Sequence, residues 1–70
     1  MEYVKAEFVP DYDDSLTAGK AYQFVRHEDD SRPSGFISND YGMRCFILLS
    51  GCAHLDGLDW TLCDKFGGPA

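Results

Sequence analysis

Apolar and polar positions alternate with a period of two from Tyr3 to Val9, placing Val4, Ala6 and Phe8 on one face and Tyr3, Lys5 and Glu7 on the other. That is the pattern of a half-buried strand. Pro10 then removes a backbone donor, and Asp11, Asp13, Asp14 and Ser15 are loop formers whose side chains compete for local backbone hydrogen bonds, so the strand should end in a long acidic loop. Gly19 suits a tight turn before a second strand, Ala21 to Arg26, with Tyr22 and Phe24 on one face. The polar run His27 to Gly35 predicts a hairpin loop, and Phe36 to Asn39 a short third strand. Asp40-Tyr41-Gly42 reads as a tight turn into a fourth strand, Met43 to Leu49, the most apolar in the chain. Ser50 to His54 is long enough only for a single 3₁₀ turn, and Trp60 to Cys63 reads as a closing fifth strand.

Five short strands with no competing helical period predict an all-β fold, and closure into a small barrel would hide the edges that an open five-stranded sheet exposes. The expected core is Val4, Phe8, Leu16, Tyr22, Phe24, Ile47, Trp60 and Leu62. Residues 1–64 form the barrel in this reading, and residues 65–70, with two glycines and a proline, form a flexible tail. The fourth strand sets a puzzle. Met43, Cys45, Ile47 and Leu49 line one face, so Phe46 and Leu48 point to the other, where a barrel has no second interior. Cover from within the chain, with Phe66 as the candidate, is the first expectation, and a contact face for a partner or a homodimer is the alternative.

Composition narrows the function classes. Seventy residues make one domain, and an aromatic fraction of 14% supplies large side chains for one core. Twelve acidic residues against six basic ones give a net charge of -6. Nucleic acids and anionic membranes are bound by neutralising phosphates with Lys and Arg, so neither is an expected partner, whereas a protein with a basic surface is permitted. The apolar run Cys45 to Leu49 is far too short to cross a bilayer. Three cysteines, Cys45, Cys52 and Cys63, and the absence of an apolar leader before Glu2 and Lys5, fit reduced thiols in a cytoplasm better than a secreted disulfide scaffold.

Candidate chemistry is sparse. Cys45, Cys52, His54 and Cys63 are zinc-ligand types, but structural zinc sites present cysteines two to four residues apart, and here six residues separate the nearest pair. Small buried thiols are the better reading, and no metal or cofactor is expected. Cys52 with His54 would need an oriented base, an oxyanion site and a cleft, for which a barrel this small has little room, so an enzyme with a Cys/His site is the third choice. Calcium is opposed by the lack of an Asp-x-Asp-x-Asp-Gly loop with a closing Glu. The acidic residues Asp11, Asp13, Asp14, Glu28, Asp29 and Asp30 fall in the two longest loops.

Leu16-Thr17-Ala18-Gly19-Lys20-Ala21-Tyr22, followed by alternating apolar residues and a Phe-Ile-x-x-Asp-x-Gly hairpin, resembles small SH3-like β-barrel proteins encoded by phages and prophages. It is also similar to the Leu-x-x-x-Gly-Asp stretch of eukaryotic SH3 domains, with Pro10-Asp11-Tyr12 placed like their aromatic loop entry. The resemblance implies a five-stranded SH3-like barrel with a 3₁₀ turn before the last strand. Peptide-binding SH3 domains resemble one another through paired tryptophans opening the third strand and a proline and tyrosine in the 3₁₀ turn. This chain has Phe36-Ile37 and Cys52-Ala53-His54 there, so it lacks the rings that grip polyproline. The expected function is a non-enzymatic protein-binding module, a phage or prophage accessory protein acting in the bacterial cytoplasm. Its partner is expected at Tyr12, Asp13, Asp14 and Phe36, with Phe46 and Leu48 as the alternative face. The runner-up is an acidic inhibitor that mimics nucleic acid in a basic groove.

Overall fold

Val4 is fully buried between two neighbours, Tyr22 on one side and Leu62 on the other, and this one residue locates the centre of the sheet. The computed structural model describes residues 1–27 and 33–70. Its strands are β1 (Glu2–Lys5), β2 (Tyr22–Arg26), β3 (Ser34–Ser38), β4 (Arg44–Leu48) and β5 (Thr61–Cys63), with a 3₁₀ turn at Ala53–Leu55 before β5. All neighbours are antiparallel, in the order β4-β3-β2-β1-β5. The all-β arrangement read from the chain, five antiparallel strands with a 3₁₀ turn before the last, is therefore the architecture of the molecule, and the described residues contain no α-helix.

The sheet folds at β2. Tyr22 and Phe24 register with β1, whereas Val25 and Arg26 register with β3, so one strand serves two ladders that close over a common interior. Into it point Val4, Ala6, Leu16, Tyr22, Phe24, Ile37, Ile47, Cys52, Leu55 and Trp60. Tyr22 and Trp60 meet edge to face, with centroids 6.0 Å apart and planes at 88°, a favoured aromatic geometry. Gly35 is required here: a Cβ on it would collide with the Val25 carbonyl oxygen and lie 2.7 Å from the Phe24 ring. Only a residue without a side chain lets β3 cross so close to that ring.

Several expectations need correction. The barrel is not closed by pairing: β4 and β5 share no ladder, and Trp60 N–H donating to Leu49 O at 2.9 Å links the segments that flank them. On its other side β5 carries the bridge from Cys63 to Pro69 instead of a ladder with β4. Strand β1 stops at Lys5, not Val9, because Ala6 O accepts from Gly19 N–H at 2.8 Å and the chain turns into its loop. Beyond that point alternation no longer governs, Pro10 is buried instead, and Phe8 is 49% exposed. Leu62 does lie opposite Val4, but β5 is an edge strand whose outer side meets only the single bridge from Cys63 to Pro69, which leaves Leu62 39% exposed. Its neighbour Cys63 is buried because residues 65–69 fold back on β5 instead of trailing away. Asp64 N–H donates to Gly68 O, the Asp64 carboxylate accepts from Phe66 N–H and Gly68 N–H, and Lys5 Nζ donates to Gly67 O.

Candidate functional site

The loop between β1 and β2 is held by its own polar residues. Asp13 N–H donates to Pro10 O at 3.0 Å, and the Asp13 carboxylate accepts from Ser15 N–H and Ser15 Oγ, which fixes a turn at the loop's acidic tip. The return limb is tied to the β3–β4 hairpin. Asp40 N–H donates to Ser15 O at 2.8 Å, and the Asp40 carboxylate receives Thr17 Oγ1 at 2.7 Å, Lys20 Nζ at 2.6 Å and Tyr22 OH at 3.0 Å. Lys20 first, then Thr17, hold the Asp40 carboxyl below its ordinary value, because both favour the ionised form. The loop's position on the sheet thus rests on one carboxylate in a two-strand turn.

Two exposed tyrosines stand at this end. Tyr12, 74% exposed, donates its hydroxyl to Asp56, the left-handed residue (φ 53°) that ends the 3₁₀ turn. Tyr41, 63% exposed, sits in the hairpin turn near enough to Asp14 for that carboxylate to act on its phenol. Each phenol is pushed above its ordinary pKa, chiefly because a neighbouring carboxylate, Asp56 for Tyr12 and Asp14 for Tyr41, favours the protonated hydroxyl, and the charge of Asp13 bears on both. Tyr12, Asp13 and Asp14 therefore belong to one acidic and aromatic end, together with Tyr41 and Asp56, which sequence reasoning missed. Tyr12 and Asp56 are 44 positions apart, and no local pattern announces such a meeting. Glu28, Asp29 and Asp30, expected to flank the same end, lie outside the described residues.

Phe36 belongs elsewhere. It sits on the outer face of β3, in direct register with Val25 on one side and Phe46 on the other. Its ring meets Phe46 at 5.4 Å and His27 at 5.7 Å between centroids, and the Arg44 guanidinium carbon lies 3.9 Å from its centre. The alternative contact face divides as well. Phe46 belongs to this outer aromatic row, whereas Leu48 is half-buried and packs against the core. Phe66 is 85% exposed and covers neither residue; the neighbours of Phe46 are Phe36 and His27.

Cys45 is half-buried, and Cys52 and Cys63 are buried as free thiols, the last with its pKa raised by burial. Among the described residues no three His, Cys, Asp or Glu side chains are grouped to hold a metal ion. No helix among the described residues is long and apolar enough to cross a membrane. No protein-family model matches the chain, and neither a curated protein nor a solved structure matches it.

Proposed function

We propose that this protein is a non-enzymatic binding module whose acidic, tyrosine-bearing end engages a basic surface on another protein. The observation that carries the reading is the gathering of two exposed tyrosines among carboxylates at one end, Tyr12 hydrogen-bonded to Asp56 and Tyr41 beside Asp14. Tyrosine supplies large contact area at low entropic cost, and the bond to Asp56 fixes the Tyr12 ring before any partner arrives. Such an end unites anchors with charge that steers a cationic partner. The resemblance to small phage and prophage proteins supports a role as an accessory factor in the bacterial cytoplasm, acting by occupying a host or viral protein. A nucleic-acid mimic would use the same end, with the carboxylates standing in for phosphates.

The experiment is affinity capture from infected bacteria with the unaltered chain, followed by kinetics on the purified pair. Replacing Asp13 and Asp14 by Asn should slow association, and Tyr12→Ala should speed dissociation. Raising salt should weaken the complex, because exposed charges are screened over about 8 Å at physiological ionic strength. A salt-insensitive complex indifferent to these changes would refute the proposed end. A captured nucleic-acid-binding protein that releases its polynucleotide on binding would select the mimic.

A further inference from the structure

The fold at β2 leaves one rung of the sheet open. His27 N–H donates to Ser34 O, so residues 23, 25 and 27 of this limb direct their backbone groups toward β3. Asn39 N–H donates to Met43 O, so the odd residues of β3 serve β4 and its even residues face β2. The β2–β3 register ends at Val25 opposite Phe36. The next rung, in which Ser38 N–H would donate to Gln23 O, is not closed, because Tyr22 to Phe24 have turned away to pair with β1. A groove of about 550 Å³ opens there, lined by Lys20, Gln23, Val25, Phe36, Ser38 and Arg44 among others. That volume falls within the usual range for ligand sites, about 300–1,000 Å³.

Charge and chemistry select an occupant. Among the described residues no carboxylate lines the groove, although twelve of the seventy residues are acidic. Lys20 is offset by Asp40 at 2.6 Å, whereas Arg44 has no carboxylate partner among the described residues. The Arg44 guanidinium carbon lies over the Phe36 ring, 3.9 Å from its centre, and among the described residues its N–H donors meet no carboxylate. The open rung offers a donor, Ser38 N–H, beside an acceptor, Gln23 C=O, and Val25 with Phe36 form an apolar wall. We infer that this groove takes the free C-terminus of a partner protein ending in an apolar residue. The terminal carboxylate accepts from Ser38 N–H and Arg44, the last peptide N–H donates to Gln23 C=O, and the last side chain lies on Val25 and Phe36. One residue with a carboxylate and an N–H thus completes the missing rung. This site is separate from the acidic end and does not depend on it.

The test is a ¹⁵N titration of the full chain with acetyl-Gly-Ser-Gly-Val-Val bearing a free carboxylate, against the same peptide amidated and against sodium acetate. The free-carboxylate peptide should move the Gln23 and Ser38 amides and the Arg44 side-chain signal with a dissociation constant of about 1 mM or tighter, as befits one short segment. The amidated peptide should bind at least about tenfold more weakly, and Arg44→Gln should weaken the free peptide about fivefold through loss of a charge-assisted hydrogen bond. The peptide comparison uses the unaltered chain, so no folding defect can mimic the answer. Equal binding of the amidated peptide would overturn the assignment. So would acetate reproducing the same shifts at the same affinity, which marks an adventitious anion site, or no shift at Gln23 and Ser38 with about 5 mM peptide.

Discussion

Replacing Gly35 by Ala adds one methyl group at the tightest approach in the sheet. The new Cβ would overlap the Val25 carbonyl oxygen and lie 2.7 Å from two atoms of the Phe24 ring. Neither can yield cheaply. Val25 O belongs to the short register that joins β2 to β3, and Phe24 is 3% exposed within the core. Overpacking a core typically costs about 1–3 kcal/mol, and a clash with backbone as well as a buried ring belongs at the upper end, about 3 kcal/mol. A domain of this size has only about 3–5 kcal/mol in total, so the change should remove more than half of it. At about 4–8 °C per kcal/mol, the thermal midpoint should fall by about 12 °C or more. Gly19→Ala is the control, since Gly19 has φ 78° with open space around its would-be Cβ. That variant should lose only the left-handed backbone penalty of about 1–2 kcal/mol. Urea and thermal unfolding followed by Trp60 fluorescence would compare the two. Gly35→Ala equal to or milder than Gly19→Ala would refute the close packing of β3 over Phe24.

Acid should loosen the loop before the rest of the sheet: the folded-state pKa of Asp40 lies below its ordinary 3.8, so its stabilisation is present above that value and is lost as pH falls through the folded value. Amide exchange at Ser15 to Lys20 would report it, and a loop indifferent to acid would count against the Asp40 tie. Tyr12→Phe should keep the ring while freeing Asp56, so the Tyr12 contribution to alkaline titration disappears with little change in thermal midpoint. Its phenol pKa is raised in the fold, so the bond acts below about pH 10 and is lost as pH rises through the folded value. A thiol reagent should label Cys45 in the folded protein and reach Cys52 and Cys63 only on unfolding. Asp64→Ala should release residues 65–69 from β5, seen as faster exchange at Phe66 and Gly68 and as Cys63 becoming reactive to that reagent.

The strands were legible because each carries a short alternating run bounded by turn residues, and the structure keeps every one within a few residues of its expected ends. Errors arose where alternation ceased to govern. Phe8 keeps the phase of Val4 and Ala6 in the sequence, but the bond from Gly19 to Ala6 has already ended the strand. Leu62 keeps the right face and lacks a neighbour, because the identity of the edge strand is a property of topology, not of the β5 sequence. The acidic loop was legible as acidic; its pairing with Asp56 and Tyr41 was not, since contacts across 44 positions carry no local signal. Phe36 reads in the sequence as an aromatic anchor beside that loop, and the register with Val25 and Phe46 places it in a different aromatic row.

The acidic end is tested most directly by measuring dissociation of the captured partner from the unaltered chain and from the Tyr12→Ala/Tyr41→Ala double variant, across a salt series. Two exposed aromatic anchors, one of them held by Asp56, should make the double variant dissociate at least about tenfold faster, because truncation of an anchoring interface tyrosine costs about 1 kcal/mol or more. The unaltered complex should weaken steadily as salt rises, and the Phe36→Ala variant should bind as the unaltered chain does. Dissociation unchanged by the loss of both tyrosines, with binding abolished by Phe36→Ala, would move the contact to the outer aromatic row and contradict the account.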